Sequence, residues 1–411
     1  MIILLRGMPI SPRHDVCVIG AGLVGLAVAR ALSLEYDGIS VLVLDKEERV
    51  AAHQSSHNSG VVHSGLYYRP GSLKAKLCVE GREAVYRLCE EENVPFRRSG
   101  KLVIATRERE LESLAELERR GVANGLKGLR RLDPAGIREV EPEAVGLQAL
   151  HVSEAGVADF PLLADRMAKR LMAAGTEIAI SQEVTAIAQG SSRVTVDTEE
   201  SSYSARMLVN CAGLHSDRVA AMAGVTSPVR IVPFRGEYYR LSESAADLVK
   251  GLVYPVPDPR FPFLGVHFTR RVDGTVEVGP NAVLAFGREH YSGTNRNWSD
   301  VREVFADRGF RRLAAKHLRA GAKELLSSRS TRLYARRARL LIPGIDRSDL
   351  QPGGSGVRAQ AVASDGSLVD DFVIEQSESS VHVLNAPSPG ATASLAIGRH
   401  IAAQIGPLFP R

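Results

Sequence analysis

The chain has little cysteine, few aromatic residues and no long apolar run. Four cysteines (Cys17, Cys78, Cys89 and Cys211) are scattered without metal or redox spacing. Neither a disulfide framework nor a thiolate metal centre is therefore expected, and the usage suits a reducing cytoplasm. No stretch approaches the ~20 apolar residues that a membrane-spanning helix needs. The apolar opening lacks the length, basic lead and cleavage site of a secretory leader, so none is expected. Aromatics make up 5%, with a single tryptophan, and they do not interleave with the basic residues as in single-strand binders, so no nucleic-acid partner is expected. Internal repeats and low-complexity tracts are missing too. What remains is an ordinary globular balance, 44% hydrophobic and 24% charged over 411 residues, enough for two packed units.

The formal charge of +5 is local in origin. Residues 307–339 carry eleven Lys/Arg against two acids, leaving the rest of the chain at −4. This segment, part of a basic helical stretch over 301–340, places Leu313, Leu318, Leu325, Leu326, Leu333 and Leu340 among arginines. Two readings stand side by side: solvated helix faces, or a basic amphipathic face against an anionic membrane.

The most specific signal lies near the start. Residues 14–19 read as a short buried strand; Gly20-Ala-Gly22-Leu-Val-Gly25 follows at once, then an Ala/Leu-rich helix, then a second strand over 39–44 ending in Asp45. Strand, glycine turn, helix, strand and acid together form a dinucleotide fingerprint. The glycines allow a tight turn, close approach of backbone to a pyrophosphate, and close helix–strand packing. The helix N-terminus offers N–H groups and partial positive charge to the phosphates. Asp45 can accept hydrogen bonds from an adenosine ribose. The fingerprint alone does not separate FAD from NAD.

A polar loop follows, containing His53, Ser55, Ser56, His57, Asn58, Ser59, Gly60, His63, Tyr67 and Tyr68. Small, hydroxylated and glycine residues can approach a ligand closely and bond it many times. Three readings are open for the histidines: a metal site, solvated loop residues, or a cofactor-lining loop. His53 and His57 stand four apart, but no helical pattern or glutamate partner accompanies them, so no metal is expected.

From residue 56 to 76 the chain resembles the L-2-hydroxyglutarate dehydrogenases and oxidases, within the wider FAD-dependent family that includes D-amino-acid oxidase and glycine oxidase. The segments Val266-His-Phe-Thr-Arg270, Glu277-Val-Gly-Pro-Asn-Ala282, Gly356-Val-Arg-Ala-Gln360 and Leu384-Asn-Ala-Pro-Ser-Pro-Gly-Ala-Thr392 resemble it too, in order along nearly the whole chain. One departure is Asp45, where such FAD enzymes more often carry glutamate. The resemblance implies an α/β (α+β overall) fold of the glycine oxidase type, an FAD-binding Rossmann-like domain with a β-sheet substrate domain. It also implies FAD as cofactor and oxidation of L-2-hydroxyglutarate to 2-oxoglutarate. A related flavoenzyme acting on glycerol 3-phosphate or an amino acid is the alternative. The electron acceptor, oxygen or a membrane quinone, is left open, with a cytoplasmic location either free or at the inner face of the membrane.

On this reading the FAD domain is discontinuous, over 1–95, 150–228 and 345–411, and the substrate domain comes from 96–149 and 229–344. Strand pairs are expected at 177–181 with 183–187, where Val184 resembles the family's adenine-side segment. Ala212 and Gly213 sit at a strand-to-loop junction suited to a second approach to FAD. Gly353-Gly-Ser-Gly356 reads as a flexible entry to the last section, and Gly356 joins the cofactor-binding set. Ser388, Pro389, Gly390, Ala391 and Thr392 precede an apolar helix whose first amides suit the negative charge developing on a reduced flavin. For the base that takes the substrate's hydroxyl proton, His63, His267 and His57 are candidates, with His63 preferred because the polar loop should carry it to the flavin. Two substrate carboxylates call for cations. Gly356-Val-Arg358 is similar to the segment whose arginine holds the substrate carboxylate in the amino-acid oxidases. Arg235, Arg270 and Tyr67 are candidates for the second carboxylate or the hydroxyl.

Overall fold

The computed structural model describes residues 10–258, 265–291, 296–317 and 330–409. Two compact units emerge. The first comprises the described parts of Met1–Ser56, Phe160–Val232 and Ala359–Arg411, and the second those of His57–Asp159 and Pro233–Arg358.

In the first unit the strand Ile10–Ile19, the helix Leu23–Glu35 and the strand Val41–Leu44 form the expected strand–helix–strand unit. The two strands run parallel, with Val16 opposite Val41 and Ile19 opposite Leu44. Val16, Cys17, Val18 and Val41 to Leu44 are all buried, as parallel strands covered on both faces require. The helix Phe160–Ala173 then returns the chain so that Glu177–Ala179 lies parallel beside Val41–Leu44. The expected pairing of this segment with 183–187 does not occur. Val184–Gln189 pairs antiparallel with Val194–Thr198 on the opposite edge of the sheet. The cause is the crossover helix, which delivers its following strand to the open parallel edge. On the far side of Ile10–Ile19 lies Ser202–Asn210, also parallel, and beside its end Ser380–Asn385. The closing helix Gly390–Ile405 packs on Leu23–Glu35, close enough that a Cβ on Gly398 would fall 2.4 Å from the Ala27 carbonyl oxygen.

The second unit is built on a sheet in the order Val283–Leu284, Val229–Leu241, Val276–Gly279, His267–Arg270, Leu252–Pro255, Lys101–Ala105, Gln148–Val152 and Leu129–Leu132. Both faces of its middle are covered. Along Lys101–Ala105, Leu102 and Ile104 enter one hydrophobic cluster with Phe268, Ile342 and Ile345. Val103 and Ala105 enter another with Leu114, Leu150 and Tyr254. Alternation along a strand sends successive residues to the two cores, so Lys101 falls on the face of Val103.

These units divide the chain at places other than the expected 95/96, 149/150, 228/229 and 344/345 boundaries. Val61–Val62 and Phe96–Arg97 both pair antiparallel with Gly156–Ala158. That small sheet ties 57–95 and 150–159 to the second unit. The helix Leu73–Glu91 within it was not anticipated, although Ser72 caps it by accepting from the Ala75 amide and Ala75, Cys78, Val85 and Leu88 recur at helical spacing. Gly353-Gly-Ser-Gly356 is no loose entry either. It lies inside the strand Leu350–Ala363, where a Cβ on Gly353 would sit 2.6 Å from the Tyr238 carbonyl oxygen; the glycine serves close approach.

The basic stretch supplies the helices Trp298–Ala306 and Thr331–Ala338, with a further helix over 308–317. Leu313 is buried, whereas Leu333 and Leu340 are exposed. Leu318, Leu325 and Leu326 lie outside the described residues.

Candidate active site

In the first unit the glycine turn is held in the geometry its residues permit. Gly20 has a φ of +106°, and a Cβ on it would meet the Cys211 carbonyl oxygen at 2.5 Å. A Cβ on Gly25 would fall 1.9 Å from the Gly20 carbonyl oxygen, so no larger residue fits. The helix starts on Gly22 without a side-chain cap. Ser55 Oγ accepts from the Leu23 amide at 2.9 Å. Asp45 accepts from the Ala21 amide at 2.7 Å and from the Glu47 amide at 3.0 Å, so the acid at the strand end also pins the turn. Burial raises its carboxyl above the ordinary value, partly offset by these backbone bonds. A turn with no room for a Cβ at Gly20 or Gly25, leading into a helix whose cap residue has no side chain, fits the pyrophosphate of a dinucleotide.

Other candidates gather in the same unit. Val184 opens the strand Val184–Gln189. Ala212 and Gly213 follow the end of Ser202–Asn210, where Asn210 Oδ1 accepts from the Ala212 amide at 3.1 Å. Gly390 begins the last helix; its cap position, Pro389, makes no side-chain cap bond, and the Gly390 amide donates to the Pro387 carbonyl at 2.9 Å. Ser56 belongs to this unit, whereas His57, Asn58, Ser59, Gly60 and Gly356 belong to the second.

The second unit gathers the catalytic candidates. His57 stacks on Tyr291 with ring centroids 4.1 Å apart. Asn58 accepts from the Gly60 amide through Oδ1 (2.9 Å) and from Arg271 through its carbonyl (3.0 Å). Gly60 has a φ of +72°, a left-handed conformation that suits glycine. Gly356 passes so near this loop that a Cβ would lie 2.4 Å from the His57 carbonyl oxygen.

Beyond Gly60 the chain is gripped by its carbonyls. The Cys78 thiol donates to the His63 carbonyl (3.4 Å), Arg82 to that of Ser64 (2.9 Å), and Asn124 to those of Gly65 (3.0 Å) and Tyr68 (2.9 Å). Helix Leu73–Glu91 supplies the first two donors. His63 and Tyr67 thus stand on a fixed backbone. Burial first, then the charges of Lys101, Lys74, His267 and Arg358, hold the His63 imidazole well below its ordinary value of 6.5. It is neutral.

Around it is a cluster of aromatics and cations. The Lys101 ammonium lies 4.2 Å from the Tyr254 ring centroid and 5.2 Å from that of Tyr67. Tyr254 stacks on His267 at 3.9 Å. His267 Nδ1 lies 2.8 Å from the Gly265 carbonyl oxygen, which fixes the tautomer with Nδ1 as donor; burial pushes this imidazole down to about 3. Arg358 donates to the Tyr238 hydroxyl. Among the sequence candidates, then, His63, Tyr67, His267 and Arg358 are brought together.

Two other arginines are committed to neighbouring groups. Arg235 pairs with Glu237, whose second oxygen accepts from Asn281 at 2.9 Å. Arg270 donates to the carbonyls of Ala246 and Val249, both at 3.0 Å, and to Asp247. It shares a strand face with Phe268 rather than with His267, because alternate residues point oppositely. Its neighbour Arg271, not singled out in the sequence, instead bridges the Asn58 carbonyl and Glu277. Lys101 was also missed. A lysine at the head of an apolar strand reads as a solvated strand end.

A mixed sheet with a parallel centre and a glycine turn suited to a dinucleotide, joined in sequence to a largely antiparallel second unit, defines a two-domain flavoprotein class. The family model for FAD dependent oxidoreductases matches residues 15–404. The chain belongs to that family, and FAD is its cofactor. It is 47% identical over 385 residues, 93% of this chain and 96% of the relative, to the L-2-hydroxyglutarate dehydrogenase of Indibacter alkaliphilus. With the mitochondrial L-2-hydroxyglutarate dehydrogenase of Nematostella vectensis it shares 43% identity over 95% of this chain and 90% of the relative. Among solved structures, the FAD-bound L-alpha-glycerophosphate oxidase of Mycoplasma pneumoniae superposes with a TM-score of 0.79 at 22% identity, covering 96% of this chain and 95% of that one. That last likeness is one of fold; the sequence relatives do not favour the alternative substrates.

Proposed function

We propose that this chain oxidises L-2-hydroxyglutarate to 2-oxoglutarate. The observation that carries the reading is a neutral imidazole, His63, set among the cations Lys101, Lys74 and Arg358, together with the name that its relatives share. A dianionic 2-hydroxy acid needs both features: positive charge to bind and an unprotonated base to take the hydroxyl proton. Bound FAD supplies the acceptor for two electrons and the α-hydrogen. Gly20, Gly22 and Gly25 with the following helix start would hold its pyrophosphate, Asp45 its ribose, and the start of Gly390–Ile405 its flavin edge.

The chain's own groups then divide the work. Arg358 grips the carboxylate next to the reacting carbon through its planar fork, which its bond to Tyr238 orients. His63 removes the hydroxyl proton as the α-hydrogen leaves. His267, stacked on Tyr254 and hydrogen-bonded to backbone, holds the wall of the cluster instead of serving as base. The substrate's carboxylates offset the cations that depress His63, raising its proton affinity when it must act.

That charge compensation has a pH signature. The kcat/KM profile reports free enzyme and kcat the substrate complex. With free His63 held well below 6.5, activity expressed as kcat/KM should keep its plateau below that pH. The acid limb of kcat should lie at higher pH than that of kcat/KM. Coincident limbs at or above 6.5 would remove His63 as the base. The reaction itself is tested with an artificial dye as acceptor: one 2-oxoglutarate should appear per dye reduced by two electrons, from the L- but not the D-enantiomer. Failure to form 2-oxoglutarate would contradict the proposal.

No helix of the described residues is long and apolar enough to cross a membrane. Leu333 and Leu340 are nonetheless exposed on or next to the arginine-rich helix Thr331–Ala338. This favours peripheral contact with an anionic membrane and a quinone as electron acceptor, with oxygen the other candidate. Co-sedimentation with anionic but not neutral vesicles, lost at high salt, would support the contact.

A further inference from the structure

Lys101 is a buried charged group without a counter-charge among the described residues. Its side chain is buried, the residue being 1% exposed, yet among the described residues its ammonium has no carboxylate partner and lies over the faces of Tyr67 and Tyr254. Burial lowers it to about 8, so it is still mostly protonated at neutral pH. A second polar group is orphaned alongside. Among the described residues the buried Tyr67 hydroxyl has no hydrogen-bond partner, and burial raises it well above 10.0, which keeps its proton available to donate. Among the described residues, a buried cation without a counter-charge and a buried donor without a hydrogen-bond partner are what an anion would satisfy.

We infer that the Lys101 ammonium and the Tyr67 hydroxyl form a second carboxylate subsite, which takes the carboxylate remote from the reacting carbon. The inference rests on the proposed oxidation of a 2-hydroxy diacid and names the residues that make it a diacid site. It follows from the fold. Lys101 begins a strand whose alternate residues enter the core beside Tyr254, and Tyr67 stands on the loop fixed by Asn124 and Arg82. Lys101 and Arg358 both act on His63, so cations for two carboxylates flank the base. Of the arginines that the sequence offered for this task, Arg235 is ion-paired with Glu237, with its Nε left over among the described residues, and Arg270 is held by Asp247 and two backbone carbonyls. A point charge and a single hydroxyl would bind a terminal carboxylate without demanding the bidentate alignment that the reacting end needs. The aromatic walls exclude water, which strengthens the contact and makes an uncharged chain end a poor occupant.

The test compares L-2-hydroxyglutarate with L-2-hydroxypentanoate, which ends in a methyl group where the diacid has its second carboxylate. In the parent holoenzyme kcat/KM should strongly favour the diacid. Lys101→Met keeps the length and apolar stem, and should lower kcat/KM for the diacid by about 10²-fold, so that the diacid-to-monoacid ratio falls by at least about tenfold. Glutarate, which has no hydroxyl to oxidise, should lose at least about tenfold in affinity, read by its perturbation of the flavin spectrum. A loss shared equally by both substrates, with glutarate binding unchanged, would make Lys101 a packing residue and overturn the subsite. Should Lys101→Met not yield holoenzyme, Tyr67→Phe carries the same comparison. A fall of about tenfold in diacid preference supports the subsite, and an unchanged preference overturns it. A parent enzyme that oxidises neither acid would instead remove the proposed reaction, a separate result.

Discussion

Arg358→Lys is expected to slow flavin reduction at saturating L-2-hydroxyglutarate by on the order of 10²-fold while FAD stays bound. Lysine retains the charge but loses the planar fork, and with it the two parallel bonds that fix a carboxylate in plane. The ε-ammonium cannot reproduce the donation to the Tyr238 hydroxyl and grip the substrate at the same time. Some binding should survive on charge alone. The rate should not, since a displaced α-hydrogen is costly in proportion to how tightly orientation controls the step. The readout is therefore the limiting rate of reduction, not KM. A rate and half-saturation both within about twofold of the parent would reassign Arg358 to a structural role and disperse the proposed carboxylate anchor.

His63→Asn is expected to lower kcat by about 10²–10⁴-fold, the usual contribution of a positioned general base. Asparagine can still hydrogen-bond the substrate hydroxyl, so substrate affinity should change far less than rate. The residual activity should rise with pH, because solvent hydroxide then takes the proton. Supporting this role, four carbonyls of the carrying loop, from His63 to Tyr68, are held by Cys78, Arg82 and Asn124, so the substitution leaves the backbone tethers in place. His267→Asn makes the control. With His267 pushed down to about 3 and packed on Tyr254, its loss should act through the position of Tyr254, reducing stability more than it alters the pH profile. A His267→Asn variant that lost activity as deeply as His63→Asn, with an intact fold, would transfer the base to His267.

The glycine turn was legible because sterics leave it so few alternatives. Gly20 and Gly25 sit where a Cβ cannot, and the flanking residues 16–19 and 41–44 are continuously apolar. The strand–helix–strand unit therefore appears in the order read, although its first strand begins at Ile10 rather than His14 and its second at Val41 rather than Ile39. Longer-range pairing was harder. Nothing in Glu177-Ile-Ala says that it closes a crossover beside Val41–Leu44 rather than a hairpin with the next strand, since either partner would bury the same residues. Gly353 looked like freedom but provides proximity to Tyr238; composition does not distinguish the two uses of glycine. In the candidate site, His63, Tyr67, His267 and Arg358 stood within motifs. Lys101 did not, because its meaning depends on both faces of its sheet being covered. The choice between Arg270 and Arg271 likewise depends on which face each side chain takes, which the strand's pairing decides.

The most direct test is a single anaerobic spectrum of the purified yellow protein before and after L-2-hydroxyglutarate is added. The account predicts loss of the oxidised flavin's visible absorption, with one 2-oxoglutarate formed per flavin and no change with the D-enantiomer. An oxidised spectrum unmoved by L-2-hydroxyglutarate, but bleached by glycerol 3-phosphate or an amino acid, would contradict it.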